Sequence, residues 1–200
     1  TIDFIKMKIL GIIPARYAST RFPGKPLTMI NGKPMIQRVY EQSLKSRLLS
    51  DVVVATDDQR IFDAVVDFGG KVMMTSSEHN SGTDRCCEII ENIGSQYDAV
   101  VNIQGDEPFI NPEQIDQIAE IISLDESQIA SLCKPIKDYE ELFDENVVKV
   151  VFDTKGKALY FSRQTIPFLR KVDKDASKGM AIRTFYKHII CYEKIYVCDT

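Results

Sequence analysis

Ile9-Leu10-Gly11-Ile12-Ile13 runs straight into Pro14-Ala15-Arg16-Tyr17-Ala18-Ser19-Thr20-Arg21-Phe22-Pro23-Gly24-Lys25-Pro26-Leu27. The apolar run has the length and character of a buried strand. Pro14 is expected to end it, because proline has no N–H to give to a sheet ladder. The polar stretch that follows carries Arg16, Arg21 and Lys25, separated by the small residues Ala15, Ala18, Ser19, Thr20 and Gly24. Small residues let backbone amides come close to a ligand. Cations and free amides on a loop after a strand suit a polyanion such as a nucleoside triphosphate. They also suit a basic loop that simply meets water.

Working outward, the chain repeats strand, loop and helix. Strands are expected at 27–30, 52–55, 71–74 and 99–103. Asn31-Gly32 signals a tight turn, and Pro34 can open a helix with Met35, Ile36, Val39 and Leu44 on its apolar side. Thr56-Asp57-Asp58 caps a second helix, with Ile61, Phe62, Val65 and Val66 inward and Gly69-Gly70 as its stop. Two further helices carry Cys86, Ile89, Ile90 and Ile93, and then Ile115, Ile118 and Ile122. This alternation predicts an α/β fold with a doubly wound, mostly parallel sheet, in which ligands bind at the carboxyl ends of the strands. The second half differs. Strands at 129–132, 147–152, 158–162 and 183–192, with a hairpin turn at Thr154-Lys155-Gly156-Lys157, predict an antiparallel extension. Tyr160 and Phe161 read as core residues, and the charged stretch 170–179 as a loop.

A length of 200 residues fits one domain, or one with a small appendage, and 44% hydrophobic residues suffice for a core. We expect a single domain over 1–200, its nucleotide part about 7–128 and its second-substrate and dimerisation part about 129–200. A net charge of −4 disfavours nucleic acid as a partner. No apolar run has transmembrane length and no signal-peptide pattern opens the chain, so no membrane insertion is expected. Five cysteines without zinc-ligand spacing suggest reduced thiols and a cytoplasmic protein.

Three further stretches carry chemistry. In His79-Asn80-Ser81-Gly82-Thr83-Asp84-Arg85, Ser81 or Thr83 can cap a helix, and the helix start offers free amides to an anion. Arg85 in the first turn is unfavourable for the helix dipole; either a ligand or an ion pair with Asp84 or Glu88 would account for it. In Asn102-Ile103-Gln104-Gly105-Asp106-Glu107-Pro108, acids sit at the carboxyl end of a strand, where a carboxylate can hold magnesium on phosphate oxygens or cap a helix. In Ala158-Leu159-Tyr160-Phe161-Ser162-Arg163, an arginine closes an apolar strand and needs a partner, of which a substrate carboxylate is one.

These stretches resemble the motifs of the 3-deoxy-manno-octulosonate cytidylyltransferases, a group of sugar nucleotidyltransferases. The loop IPARYAST-R-F-PGKPL is similar to their signature loop. HNSGTDR, NIQGDEP, ALYFSR followed by Ile166-Pro167, and Tyr186-Lys187-His188-Ile189 resemble their later motifs. The resemblance implies a nucleotide-diphospho-sugar transferase-like fold and CTP contacts at Pro14, Ala15, Arg16, Arg21, Lys25, Ser81, Gly82, Thr83, Arg85 and Gln104. It implies contacts to the sugar acid (Kdo) at Gln104, Arg163 and His188. Asp106 becomes a ligand of Mg2+, and Arg16, Lys25 and Asp106 become the catalytic set. It covers roughly 8–189. Beyond that, Ile190 to Ile195 resembles a later strand of the family, as if an intervening stretch with its dimerising helix were left out. Asp199-Thr200 matches only the first two residues of the run that holds the family's second metal-binding aspartate. The resemblance also implies a homodimer and a role in lipopolysaccharide synthesis.

The expected reaction is attack of the sugar hydroxyl on the α-phosphorus of CTP with release of pyrophosphate, a step made by positioning and charge stabilisation. The residues alone reach only a magnesium-dependent nucleotide enzyme with an acidic second substrate. A glycosyltransferase on the same plan would want a spaced Asp-x-Asp, whereas Asp57-Asp58 is adjacent. A nucleotide-binding regulator without turnover is the alternative from another class.

Overall fold

The computed structural model describes residues 7–18, 22–93, 96–123, 129–168 and 184–193. Arg21, Asp199 and the charged stretch 170–179 lie outside the described residues. The chain divides into two compact units, Thr1–Ala130 with Tyr192–Thr200, and Ser131–Cys191.

The first unit runs β1 (Ile9–Ala15), β2 (Met29–Ile30), β3 (Lys33–Pro34), α1 (Met35–Ser43), β4 (Leu49–Thr56), α2 (Gln59–Asp67), β5 (Val72–Met74), α3 (Gly82–Ile93), β6 (Ala99–Asn102) and α4 (Pro112–Ser123). Its main sheet has the order β5-β4-β1-β6, with every neighbouring pair parallel. Two steps run in one direction, from β1 to β4 to β5, and the third jumps back to β6. Right-handed crossovers therefore send α3 to the face opposite α1 and α2, which is the doubly wound arrangement. On the α3 face, Cys86, Ile89 and Ile90 pack with Leu10, Ile12, Val53, Ala55 and Val100. The small β2–β3 hairpin turns at Asn31 (φ 46°) and Gly32 (φ 80°), the left-handed pair that a two-residue hairpin demands.

Pro14 does not end β1. The strand continues to Ala15, paired with β4 through Pro14↔Ala55 and Ala15↔Thr56. On the other side the ladder to β6 stops at Ile12↔Asn102, after which Ile103 donates its N–H to the Ile12 carbonyl at 2.8 Å. In a parallel ladder, a residue turns its N–H and C=O toward the same neighbour, and alternate residues share that direction. Pro14 therefore turns its missing donor toward β6, where the ladder has already closed. Leu44 and Val66, expected inside, are exposed at helix positions where Tyr40 and Val65 bury instead.

In the second unit lie α5 (Tyr139–Phe143), β8 (Lys149–Phe152), β9 (Ala158–Ser162) and β10 (Tyr186–Glu193); β7 (Ile129–Pro135) leads into it. The sheet order is β7-β10-β8-β9, with β8 antiparallel to both neighbours. Ile136, Leu142 and Phe185 form its small core. The expected hairpin turn is present: the Asp153 carboxylate accepts from the N–H groups of Lys155 (2.8 Å) and Lys157 (2.9 Å), and Gly156 takes φ 83°. Tyr160 and Phe161 are not core residues. β9 is the outermost strand of the sheet, and Leu159, Tyr160 and Phe161 are 64%, 62% and 44% exposed. Leu159 and Tyr160 leave most of their apolar surface uncovered among the described residues, and Phe161 is covered only in part.

Candidate active site

The strand order reverses between β1 and β6. A ligand crevice forms at such a point because the loops leaving the two strands diverge. Here the β6 loop and the start of α3 both press against Pro14. A Cβ on Gly105 would stand 2.8 Å from the Pro14 carbonyl oxygen, and one on Gly82 would stand 3.2 Å from its ring. The β6 loop and the start of α3 thus approach the end of β1 as closely as backbone allows, and at Gly105 only glycine fits.

The β1 loop is closed at its neck, where the Gly24 N–H donates to the Tyr17 carbonyl at 2.8 Å. Gly24 has φ 71° and lies against the Tyr17 ring. The Arg60 guanidinium covers that ring, 3.3 Å from its centroid, and is itself held by Asp58 at 2.7 Å. This clasp fixes where Lys25 emerges in the single 3-10 turn Lys25–Leu27. Sequence reasoning missed it, because Tyr17 and Arg60 share no local pattern. Lys25 Nζ donates to Asp106 Oδ2 at 2.6 Å, joining the two loops across the switch point. Lys25 is 37% and Asp106 52% exposed, so the pair faces solvent and adds little to stability. Arg16 is half-buried, and its Nη2 is buried without a hydrogen-bond partner. Gln104 is half-buried beside Asp106, its carbonyl accepting from the Glu107 N–H at 3.3 Å.

At the start of α3, Ser81 and Asp84 form a reciprocal capping box, each backbone N–H donating to the other's side chain at 3.0 Å. The Ser81 hydroxyl beside the Asp84 carboxylate holds it below the ordinary aspartate range. Gly82 and Thr83 fill the first turn. Before it, the Glu88 carboxylate takes the Ser76 N–H at 2.8 Å and the His79 ring, which together lower its pKa and tie down the 75–79 loop. Arg85 is fully buried, and its ion pair is with neither Asp84 nor Glu88. Its guanidinium donates to Asp57 Oδ2 at 2.7 Å and to the Thr75 hydroxyl, joining α3 to the ends of β4 and β5. Asp57 was not distinguished from a cap in the sequence, since a long-range partner leaves no spacing.

In the second unit Arg163 is exposed, and Nη1 donates to the Glu145 carbonyl at 2.9 Å. The partner that a strand-ending arginine needs is therefore a main-chain oxygen. His188 stacks edge-on against Phe161 with ring centroids 5.3 Å apart. Lys149 registers with Ser162 on one side and Lys187 on the other, so Arg163 and His188 each lie one residue further along, flanking Val148.

Among the described residues, three buried side-chain polar atoms lack a partner: Arg16 Nη2, Arg85 Nε and Asn102 Oδ1. Each belongs to one of the three motif stretches on the carboxyl edge of the first sheet. Buried polar groups are ordinarily satisfied, so these three stand out along the carboxyl edge of the first sheet. Asn102 had a signal in the sequence, as the one polar residue of an apolar strand. No group of three or more His, Cys, Asp or Glu residues gathers among the described residues.

A family profile described as Cytidylyltransferase matches residues 10–199. A 3-deoxy-manno-octulosonate cytidylyltransferase of Parabacteroides distasonis is 56% identical over 190 residues, covering 93% of this chain and 74% of that protein. The chain belongs to the 3-deoxy-manno-octulosonate cytidylyltransferase family. A second member of this cytidylyltransferase family, from Bacteroides thetaiotaomicron, is 55% identical over 190 residues with the same coverage. The solved structure of CMP:2-keto-3-deoxy-manno-octonic acid synthetase complexed with CTP matches with a TM-score of 0.83 at 42% identity, over 94% of this chain and 73% of that one. This cytidylyltransferase is thus an enzyme, a nucleotidyltransferase, on a parallel α/β sheet with an antiparallel sheet in its second half.

Proposed function

We propose that the enzyme transfers CMP from CTP to 3-deoxy-D-manno-octulosonate and releases pyrophosphate, as a cytoplasmic homodimer supplying activated sugar acid for lipopolysaccharide. The observation that carries the nucleotide half is the orphaned buried Nη2 of Arg16 on the β1 loop, with Asn102 Oδ1 orphaned at the end of β6. The relative bound to CTP supports the choice of nucleotide, and the names of the relatives support the sugar acid.

In this reading Arg16, Arg21 and Lys25 take the charge of the triphosphate. Pro14, Ala15, Ser81, Gly82, Thr83 and Gln104 line the nucleotide, and Arg85 stiffens that wall through Asp57. A guanidinium with a free buried N–H and a lysine on a solvent-facing ion pair are both ready to donate to phosphate oxygens. Mg2+, when bound, supplies neutralisation of the phosphate oxygens and polarises the α-phosphorus. The residues fit such an ion: Asp106 offers an exposed carboxylate, and magnesium is usually held by one or two carboxylates together with substrate phosphates. Lys25 and Asp106 would then exchange each other for a phosphate and a cation, so charge stays balanced as the substrate enters. In the second unit, Arg163 and His188 seat the sugar acid, the guanidinium matching its carboxylate bidentately.

The test is pyrophosphate release from CTP with added magnesium, read with and without the sugar acid and with ATP, GTP and UTP in place of CTP. Release that needs both CTP and the sugar acid is expected. A nucleotide-binding regulator would bind CTP and release nothing, and equal turnover of all four nucleotides would remove the cytidine assignment.

A further inference from the structure

Lys149 is the least expected residue of the second unit. It stands in the apolar run Val147-Val148-Lys149-Val150-Val151, and its side chain is completely buried. Its ammonium donates to three main-chain carbonyls, those of Asp144 at 2.6 Å, Val147 at 2.9 Å and Arg163 at 2.8 Å. An ammonium has three donors, and all of them are used. Among the described residues Lys149 has no ion pair. Burial, opposed by the nearby Asp144 and reinforced by Arg163, pushes its pKa below the ordinary lysine value.

A buried cation satisfied only by carbonyls is costly, and an apolar residue of the same volume would ordinarily serve stability as well or better. What the cation provides is a fixed geometry. One bond grips the backbone of Arg163 itself. The other two grip residues 144 and 147, on either side of Glu145, whose carbonyl holds the Arg163 guanidinium at 2.9 Å. Both ends of Arg163 are thus tied to a single turn, and Lys149 is the hub of that turn. The neighbouring Val148 carbonyl accepts the His188 N–H at 2.8 Å, so the same strand start also sets the backbone of His188.

We infer that Lys149 is a positioning residue for the sugar acid, acting through Arg163 and the 144–147 turn without touching the substrate. The inference rests on the role proposed above for Arg163. It also accounts for the exposure of Arg163, since a guanidinium held from behind can stay in water and still keep one direction.

The test is steady-state kinetics on wild type, Arg163→Ala, Lys149→Met and the double variant, with melting temperatures alongside. Arg163→Ala and Lys149→Met are each expected to raise KM for the sugar acid about tenfold, with KM for CTP moved by less than about twofold. The double variant is expected to match Arg163→Ala alone, because a residue that acts only through another adds nothing once that other is gone. If Lys149→Met leaves KM for the sugar acid unchanged while Arg163→Ala raises it, Lys149 has no positioning role. Additive effects, or a parallel rise in KM for CTP, would make it merely structural and overturn the inference. If Arg163→Ala itself leaves KM for the sugar acid unchanged, the assignment of Arg163 fails first and is seen to. Where Lys149→Met does not fold, Lys149→Gln, which keeps two donors, is read by the same criteria; failure of both to fold also rejects the inference.

Discussion

Arg16 and Arg85 stand on the same sheet edge and should fail in opposite ways. Arg85 is fully buried and paired with Asp57. Arg85→Met leaves that carboxylate without its cation, and breaking a buried pair from one side costs about 3–5 kcal/mol. A large drop in melting temperature is expected, and a variant as stable as wild type would remove the structural role. Arg16→Ala deletes a group whose buried Nη2 has no partner, so thermal stability should hold while KM for CTP rises at least about tenfold. Asp106→Asn removes one half of an exposed ion pair, so the melting temperature should again hold. Its turnover at ordinary magnesium should fall by at least about a hundredfold, near 2.7 kcal/mol of barrier. A variant that unfolds would make Asp106 a structural cap. One that stays folded and active would put the metal elsewhere. At this scale the sequence exposed residue types more readily than partners. Lys25 and Asp106 were singled out separately, and their 2.6 Å contact spans 81 positions that no local pattern connects. Arg163 reads from sequence as needing a partner, and the one it has within the chain is a carbonyl 18 positions back.

Elements were more legible, because helices and strands are written in local periodicity. Every strand of the parallel sheet and all four of its helices follow from apolar spacing, caps and glycine stops. The misses have local causes. Pro14 was read as a terminator because the side on which the β6 ladder closes cannot be seen in one strand. α5 is only five residues long, too short to show a helical period, although Asp138 caps it. Asp116 on α4 shows how these elements are tied. Its carboxylate takes the Ser46 hydroxyl at 2.6 Å, the Arg47 N–H and guanidinium at 3.0 Å, and the Leu48 N–H at 3.3 Å. Burial raises its pKa, but the hydrogen bonds from Ser46, Arg47 and Leu48 outweigh that and hold it below the ordinary aspartate range. A carboxyl depressed in the folded state adds stability that is complete above its unfolded pKa and is lost as pH falls through the folded one. Asp116→Asn should therefore be less stable than wild type by roughly 1–3 kcal/mol at neutral pH. The gap should narrow as pH falls below the ordinary aspartate range and through the depressed folded-state value. Thermal melts from pH 7 to pH 3 check this, and a gap that widens in acid would reverse the assignment.

On the scale of the whole molecule, β9 remains to be accounted for. Leu159, Tyr160 and Phe161 are consecutive, so they show apolar side chains on both faces of an outermost strand. Read from sequence, three apolar residues in a strand mean core, because periodicity reports that a residue is to be buried but not by which chain. A long apolar edge strand invites pairing with another chain and is ordinarily blunted by charge, proline or a covering element. Here only Lys157 before it and Arg163 after it supply charge. The proposed homodimer would give the exposed strand a physical use if a second copy covered it. Light scattering at micromolar concentration should then report a homodimer. Leu159→Lys combined with Phe161→Lys should shift it toward monomer with the β8–β9 hairpin intact, because that hairpin is held by the register from Lys149↔Ser162 to Phe152↔Ala158 and by the Asp153 turn. A wild type that is monomeric under these conditions would count against the dimer. A variant that stays dimeric would move the interface off β9 and leave its exposed side chains to another partner.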